Sequence, residues 1–83
     1  MKITIYSNTT CPYCRMLTQY LTEKQVAFTE KMTDQNQAVQ EEMAALSGGF
    51  LGVPFTVIEK EGAEKETVIG FDKKRINSIV GIQ

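Results

Sequence analysis

Thr9-Thr10-Cys11-Pro12-Tyr13-Cys14-Arg15 holds both cysteines of an 83-residue chain, with two residues between them. A disulfide across so short a span closes a minimal loop, and cross-link stabilisation grows with loop length, so a structural staple is a poor use of the pair. A zinc site asks for about four nitrogen or sulfur ligands. The chain offers two sulfurs and no histidine, so only a site shared between molecules would complete one. Pro12 suits the first turn of a helix, where its missing N–H costs nothing and its fixed φ already fits. Cys11 then stands at the mouth of a helix and Cys14 one turn inside it, which argues against two incidental buried thiols. A helix N-terminus presents unpaired N–H groups and a partial positive charge, and cysteines placed there are more acidic than a free thiol. The thiolate is the species that attacks a disulfide. This arrangement makes Cys11 the candidate nucleophile and Cys14 the candidate resolving thiol, with Arg15 adding positive potential.

Outward from this pair the pattern is regular. Residues 2–6 alternate as a strand around Ile3 and Ile5, and Ser7-Asn8-Thr9-Thr10 is loop chemistry. Tyr13, Leu17, Tyr20 and Leu21 fall on one apolar face of a helix running from Pro12 to about Lys24. A short strand is expected over 26–30, with Phe28 central. Asp34 is a candidate N-cap for a second helix with Gln37 as its capping-box partner; Val39, Met43 and Leu46 form its stripe and Gly48 its stop. Residues 49–53 read as a loop, 55–58 as a strand apolar or β-branched on both faces, 59–65 as a charged turn and 66–69 as a strand. Asp72 caps a last helix carrying Ile76, Ile79 and Val80, with Phe71 and Ile76 at the positions of a hydrophobic staple. The order β-α-β-α-β-β-α predicts a right-handed parallel crossover followed by an antiparallel hairpin. The result is a four-stranded mixed sheet flanked by three helices.

The chain is short enough for one domain over residues 1–83, with a thin but sufficient core. A net charge of −1 gives no global attraction to nucleic acid or an anionic membrane. No apolar run approaches the length of a membrane span, and residues 1–6 are too polar for a signal peptide. The expected location is cytoplasmic, where thiols stay reduced unless they cycle. The absence of histidine also removes a Cys–His nucleophile pair and an imidazole base.

Cys11-Pro12-Tyr13-Cys14 after a strand, Gly52-Val53-Pro54 opening a later strand and Gly70-Phe71-Asp72 before the last helix together resemble the glutaredoxin family over nearly the whole chain. The resemblance implies a thioredoxin-like fold and a dithiol thiol–disulfide oxidoreductase with no bound cofactor or metal. It also implies a cis Pro54 facing the cysteines, with the Val53 backbone free to pair with an incoming peptide or glutathione. Pro12, Tyr13, Val53, Pro54, Gly70, Phe71 and Asp72 are then the candidate substrate- or glutathione-binding residues. Two branches of the family differ in their electron source. Glutathione-fed members usually carry a basic residue three positions before the first cysteine and a Gly-Gly pair before an Asp; here those positions hold Asn8 and Gly70-Phe71. Cys-Pro-Tyr-Cys resembles the glutathione branch. Gly-Phe resembles the redoxins that draw on thioredoxin reductase and NADPH, some of which serve ribonucleotide reductase, and the second branch is the expected one. Implied partners are a disulfide-containing protein and the reductant, with no nucleic acid or membrane, and the chain is expected to be a monomer. An iron–sulfur scaffold sharing a cluster through Cys11 and glutathione is disfavoured by the stiffening at Pro12; a redox-sensing adaptor is a third alternative. Lys73-Lys74-Arg75 reads either as a docking patch for an acidic partner or as a solvated helix face.

Overall fold

The computed structural model of the protein describes residues 1–49 and 52–81. Its elements are β1 (Lys2–Ser7), α1 (Pro12–Glu23), β2 (Thr29–Met32), α2 (Gln37–Ser47), β3 (Phe55–Glu59), β4 (Glu66–Ile69) and α3 (Lys73–Val80). The four strands form one mixed sheet in the order β2-β1-β3-β4. β1 pairs parallel with β2 and antiparallel with β3, and β3–β4 is an antiparallel hairpin. The central strands are buried on both faces, which is why Ile3, Ile5, Val57 and Ile58 crowd into so few residues. One side of the sheet packs Ile3, Ile5, Ile58 and Val68 against Leu17 and Leu21 of α1 and Ile76 and Ile79 of α3. The other packs Tyr6, Phe55 and Val57 against Met43 of α2.

The differences from the sequence-based expectations have local causes. α1 ends in a reciprocal cap: Val26 N–H donates to Leu21 O at 2.9 Å and Gln25 N–H to Thr22 O at 3.0 Å, with Gln25 at φ +60°. That cap consumes the residues expected to begin the second strand, so the ladder starts at Thr29 opposite Thr4, not at Val26. Val26 and Phe28 still pack on the core, which explains their apolar signal. Tyr13 does not join the buried face of α1. It is 61% exposed, and Cys14 takes its place beside Leu17, Tyr20 and Leu21. The cap of α2 is Asn36, not Asp34: Asn36 Oδ1 accepts from Ala38 N at 2.9 Å and Val39 N at 3.4 Å. On that helix only Met43 is fully buried, and Leu46 is exposed. The loop expected over 49–53 includes Phe50 and Leu51, which lie outside the described residues.

Asp72 caps α3 as expected, its Oδ1 accepting from Arg75 N at 3.0 Å. Gly70 enters that cap at φ +77°, a conformation in which a side chain would strain the backbone, while its N–H donates to Pro54 O at 2.8 Å. The Val53–Pro54 peptide is cis, matching what the resemblance implies. Among the described residues no helix is long and apolar enough to cross a membrane.

Candidate active site

One end of the sheet gathers the residues singled out in the sequence. Ser7 ends β1 opposite Met32, and the antiparallel register that pairs Tyr6 with Phe55 brings Pro54 next to Ser7. The Gly70–Pro54 hydrogen bond extends the row to β4. The loop to Cys11 leaves from this row. Asn8 folds it back, its Oδ1 accepting from Thr10 N at 3.1 Å and Thr10 Oγ1 at 3.3 Å. Asp34, freed from the cap, receives Thr9 N at 3.1 Å and the Thr9 hydroxyl. The hydroxyl first and the N–H second hold the Asp34 carboxyl below its usual range.

Cys11 is the N-cap of α1 and half-buried; Cys14 is 2% exposed. Cys14 N–H donates to Cys11 Sγ at 3.2 Å, and Arg15 N–H donates to Cys11 O at 3.3 Å. The first sulfur therefore replaces the oxygen of an ordinary capping side chain. Both thiols are free. Burial, then the hydrogen bond with Cys11, pushes the Cys14 thiol up to about 11. The two sulfurs thus sit in unlike surroundings, one reachable at a positive helix end and one a buried proton holder.

Ser7, assigned only to loop chemistry by its sequence context, is a residue that reasoning missed. It is completely buried as the last residue of β1, and its hydroxyl has no hydrogen-bond partner of ordinary geometry. It lies within reach of the Cys14 sulfur, where it and the Asn8 backbone favour the thiolate. A buried hydroxyl without a partner is unfavourable unless another state of the site supplies one, and a Cys14 thiolate is such an acceptor. Its spacing from the second cysteine carries no signal; only strand register reveals it.

The other expected residues distribute differently. Pro12 begins α1 and Tyr13 projects into solvent. Val53 packs towards Tyr6 and Phe55 on the α2 side. Phe71 meets Tyr20 edge-on at 6.2 Å and lines a groove with Met16 and Lys73 between α1 and α3. The cleft that contains the sulfurs, about 240 Å³, lies on the opposite flank of α1, between Arg15 and Thr18 of the helix and Glu30 and Met32 of β2. Val53, Pro54, Gly70, Phe71 and Asp72 do not line it. Tyr6 is core: its hydroxyl donates to Glu42, and burial, with Glu42 behind it, pushes its ionisation up. In the basic triplet, Arg75 donates to Thr67 O at 3.1 and 3.3 Å, and Lys73 sits over the Tyr20 ring at 4.6 Å. All three side chains are exposed, and Lys74 has neither a ring nor a carbonyl contact among the described residues.

A mixed sheet of this topology with a helix-capping cysteine pair at its end is a thioredoxin-like fold with a CxxC motif. The family model for glutaredoxin matches residues 3–62, and the chain belongs to the glutaredoxin family, whose members are thiol–disulfide oxidoreductases. A relative from Clostridium pasteurianum, an uncharacterized glutaredoxin-like 8.6 kDa protein in the rubredoxin operon, is 35% identical over 94% of this chain and 96% of its own. Among solved structures, a mutant of the thioredoxin-like protein BC3987 superposes with a TM-score of 0.84 at 23% identity, covering 99% of this chain and 97% of that one. The glutaredoxin-like protein NrdH-redoxin from Escherichia coli gives 0.74 at 23% identity, covering 95% of each.

Proposed function

We propose that this chain, as one domain, is a cytoplasmic dithiol electron carrier in which Cys11 attacks a disulfide of a protein partner and Cys14 resolves the intermediate. The carrying observation is the asymmetry of the pair: Cys11 caps the helix within reach of solvent, while Cys14 is buried with its thiol pushed up to about 11. The half-buried sulfur at the helix end starts exchange, and the fully buried one keeps its proton until a mixed disulfide forms. At that point the hydrogen bond with Cys11 that helps to raise it is gone, and Cys14 ionises more readily. It attacks Cys11, the partner leaves as a thiol, and the carrier is left as a disulfide. Glutaredoxin-family proteins need no bound cofactor for this cycle.

Thioredoxin reductase with NADPH is the proposed electron source. Asn8 stands where a basic residue would greet glutathione, and its side chain is spent on the loop turn. Phe71, packed on Tyr20, crowds the approach to the α3 N-terminus. The NrdH-redoxin that shares the fold is described as having a thioredoxin-like activity profile, and the relative from Clostridium pasteurianum lies in a rubredoxin operon. The test compares reduction of a protein disulfide driven by NADPH and thioredoxin reductase with reduction driven by NADPH, glutathione and glutathione reductase. Faster turnover with the first system is expected; faster turnover with the second refutes this choice of reductant.

Ser7→Ala tests the resolving step. Loss of the hydroxyl makes the Cys14 thiolate harder to form, so the alkaline limb of the resolution rate moves to higher pH. At neutral pH the step slows roughly tenfold, the value of a hydrogen bond to a charged group. Thermal stability is expected to hold or rise slightly, because a buried hydroxyl without a partner is removed. An unchanged pH profile measured by stopped flow shows that Ser7 plays no part in resolution.

A further inference from the structure

The cleft beside the dithiol carries two charges of opposite sign, only one of which, Arg15, bears on the electron-carrier cycle through its positive potential. Glu30 is in register with Ile5, which packs beneath α1, so Glu30 stands on the α1 side of the sheet where an apolar residue would extend the core. Arg15 enters the same cleft from the first turns of the helix. Both residues are exposed, and neither forms an ion pair with the other or with any described residue. Thr18 also lines the cleft, its hydroxyl donating to Arg15 O at 3.1 Å. At about 240 Å³ the cleft is smaller than the roughly 300–1,000 Å³ typical of pockets for drug-sized ligands. The enclosed part therefore suits one amino-acid-sized end of a disulfide, held beside the two cysteines that line it.

We infer that this cleft is a subsite for a small zwitterionic disulfide, an amino-acid disulfide of the cystine type, whose α-carboxylate pairs with Arg15 and whose α-ammonium pairs with Glu30. A guanidinium fork suits a carboxylate. A cysteine inside a protein, or inside glutathione, has both α-groups tied up as amides, so the paired charges favour the free amino acid. The inference rests on the dithiol cycle proposed above. In it the Cys11 thiolate attacks one cystine sulfur, the S–S bond breaks and its electron pair leaves on the first cysteine, which takes a proton from water. The new bond from Cys11 holds the second cysteine in the cleft. Cys14 gives its proton to solvent and attacks Cys11, expelling the second cysteine, which is protonated in turn. The protein dithiol loses two electrons, and one cystine becomes two cysteines; NADPH through thioredoxin reductase restores the dithiol.

The experiment measures kcat/KM for cystine and for uncharged hydroxyethyl disulfide on the same enzyme preparations. In the wild type, cystine is expected to be preferred over hydroxyethyl disulfide, N,N′-diacetylcystine and cystine dimethyl ester, which lack both charges, the ammonium or the carboxylate respectively. Glu30→Gln and Arg15→Gln should each lower the cystine-to-hydroxyethyl ratio about fivefold through KM, the size expected of an exposed charge pair. Glu30→Gln should leave the ratio for N,N′-diacetylcystine unmoved, and Arg15→Gln the ratio for the dimethyl ester. Unchanged cystine ratios in both variants, with hydroxyethyl disulfide reduced normally, overturn the subsite and leave the dithiol function standing. A wild-type protein that reduces neither substrate overturns the dithiol function, and the subsite with it.

Discussion

Cys11→Ser is expected to abolish disulfide reduction, with a loss on the order of a thousandfold or more because the attacking atom itself is removed. A serine hydroxyl at the same helix cap keeps the hydrogen bond from Cys14 N–H but supplies no thiolate, so fold and stability persist while chemistry stops. Cys14→Ser behaves differently. Attack by Cys11 still occurs, and the chain accumulates as a mixed disulfide whose added mass equals that of the substrate thiol less two hydrogens. The pH dependence separates the two steps. In the reduced protein Cys14 ionises only near about 11, so below that pH its thiolate fraction falls tenfold per unit. Loss of the Cys11 hydrogen bond in the mixed disulfide lowers that value, and single-turnover resolution should therefore rise with pH to a plateau reached below about 11. Mass spectrometry after a single turnover checks the trapping. Normal reduction by Cys11→Ser refutes the assignment of the nucleophile.

The second large effect is on stability. Leu17 has no exposed surface and sits where α1 meets Ile3 and Ile5 of β1. Its truncation to alanine removes transfer free energy and leaves a cavity, costing about 2–5 kcal/mol. At about 0.05–0.15 kcal/mol per residue, a chain of 83 residues is stable by about 4–12 kcal/mol in total. Leu17→Ala should therefore lower Tm by roughly 8–40 °C, at about 4–8 °C per kcal/mol for a domain of this size. Leu46→Ala provides the contrast: that side chain is exposed on α2, and its loss should cost less than about 0.5 kcal/mol. Circular dichroism melts of the two variants decide the matter, and equal shifts would show that α2 packs through Leu46 after all.

The element order and the strand pairing were legible because each signal was local: alternation in β1, proline at the start of α1, glycine before the cap of α3. Cys11 and Cys14 were legible for the same reason, the spacing and the proline lying side by side. Boundaries failed where two polar residues competed for one job. Asp34 and Asn36 both suit a helix cap, and the choice depended on Thr9, which lies far away in sequence and draws the Asp34 carboxylate to itself. Tyr13 and Cys14 competed for the same helix face, and Cys14 took it. Ser7 and Glu30 were illegible because their significance comes from register: one is buried behind Cys14, the other aligned with Ile5 across a parallel pair. The cis peptide before Pro54 was reached through family resemblance alone, since the local sequence gave a plain strand start.

Arg75 carries a consequence beyond the cap in which it takes part. β4 is an outermost strand, and such strands offer unpaired carbonyls on which another chain can template itself into an aggregate. By laying its guanidinium on the Thr67 carbonyl, Arg75 blocks one rung of that template. On the far side of the sheet, charged Glu30 and Lys31 on β2 discourage the same growth. Both borders of the sheet thus carry features that oppose edge-to-edge growth, and the helix-borne arginine serves colloidal behaviour as well as local structure.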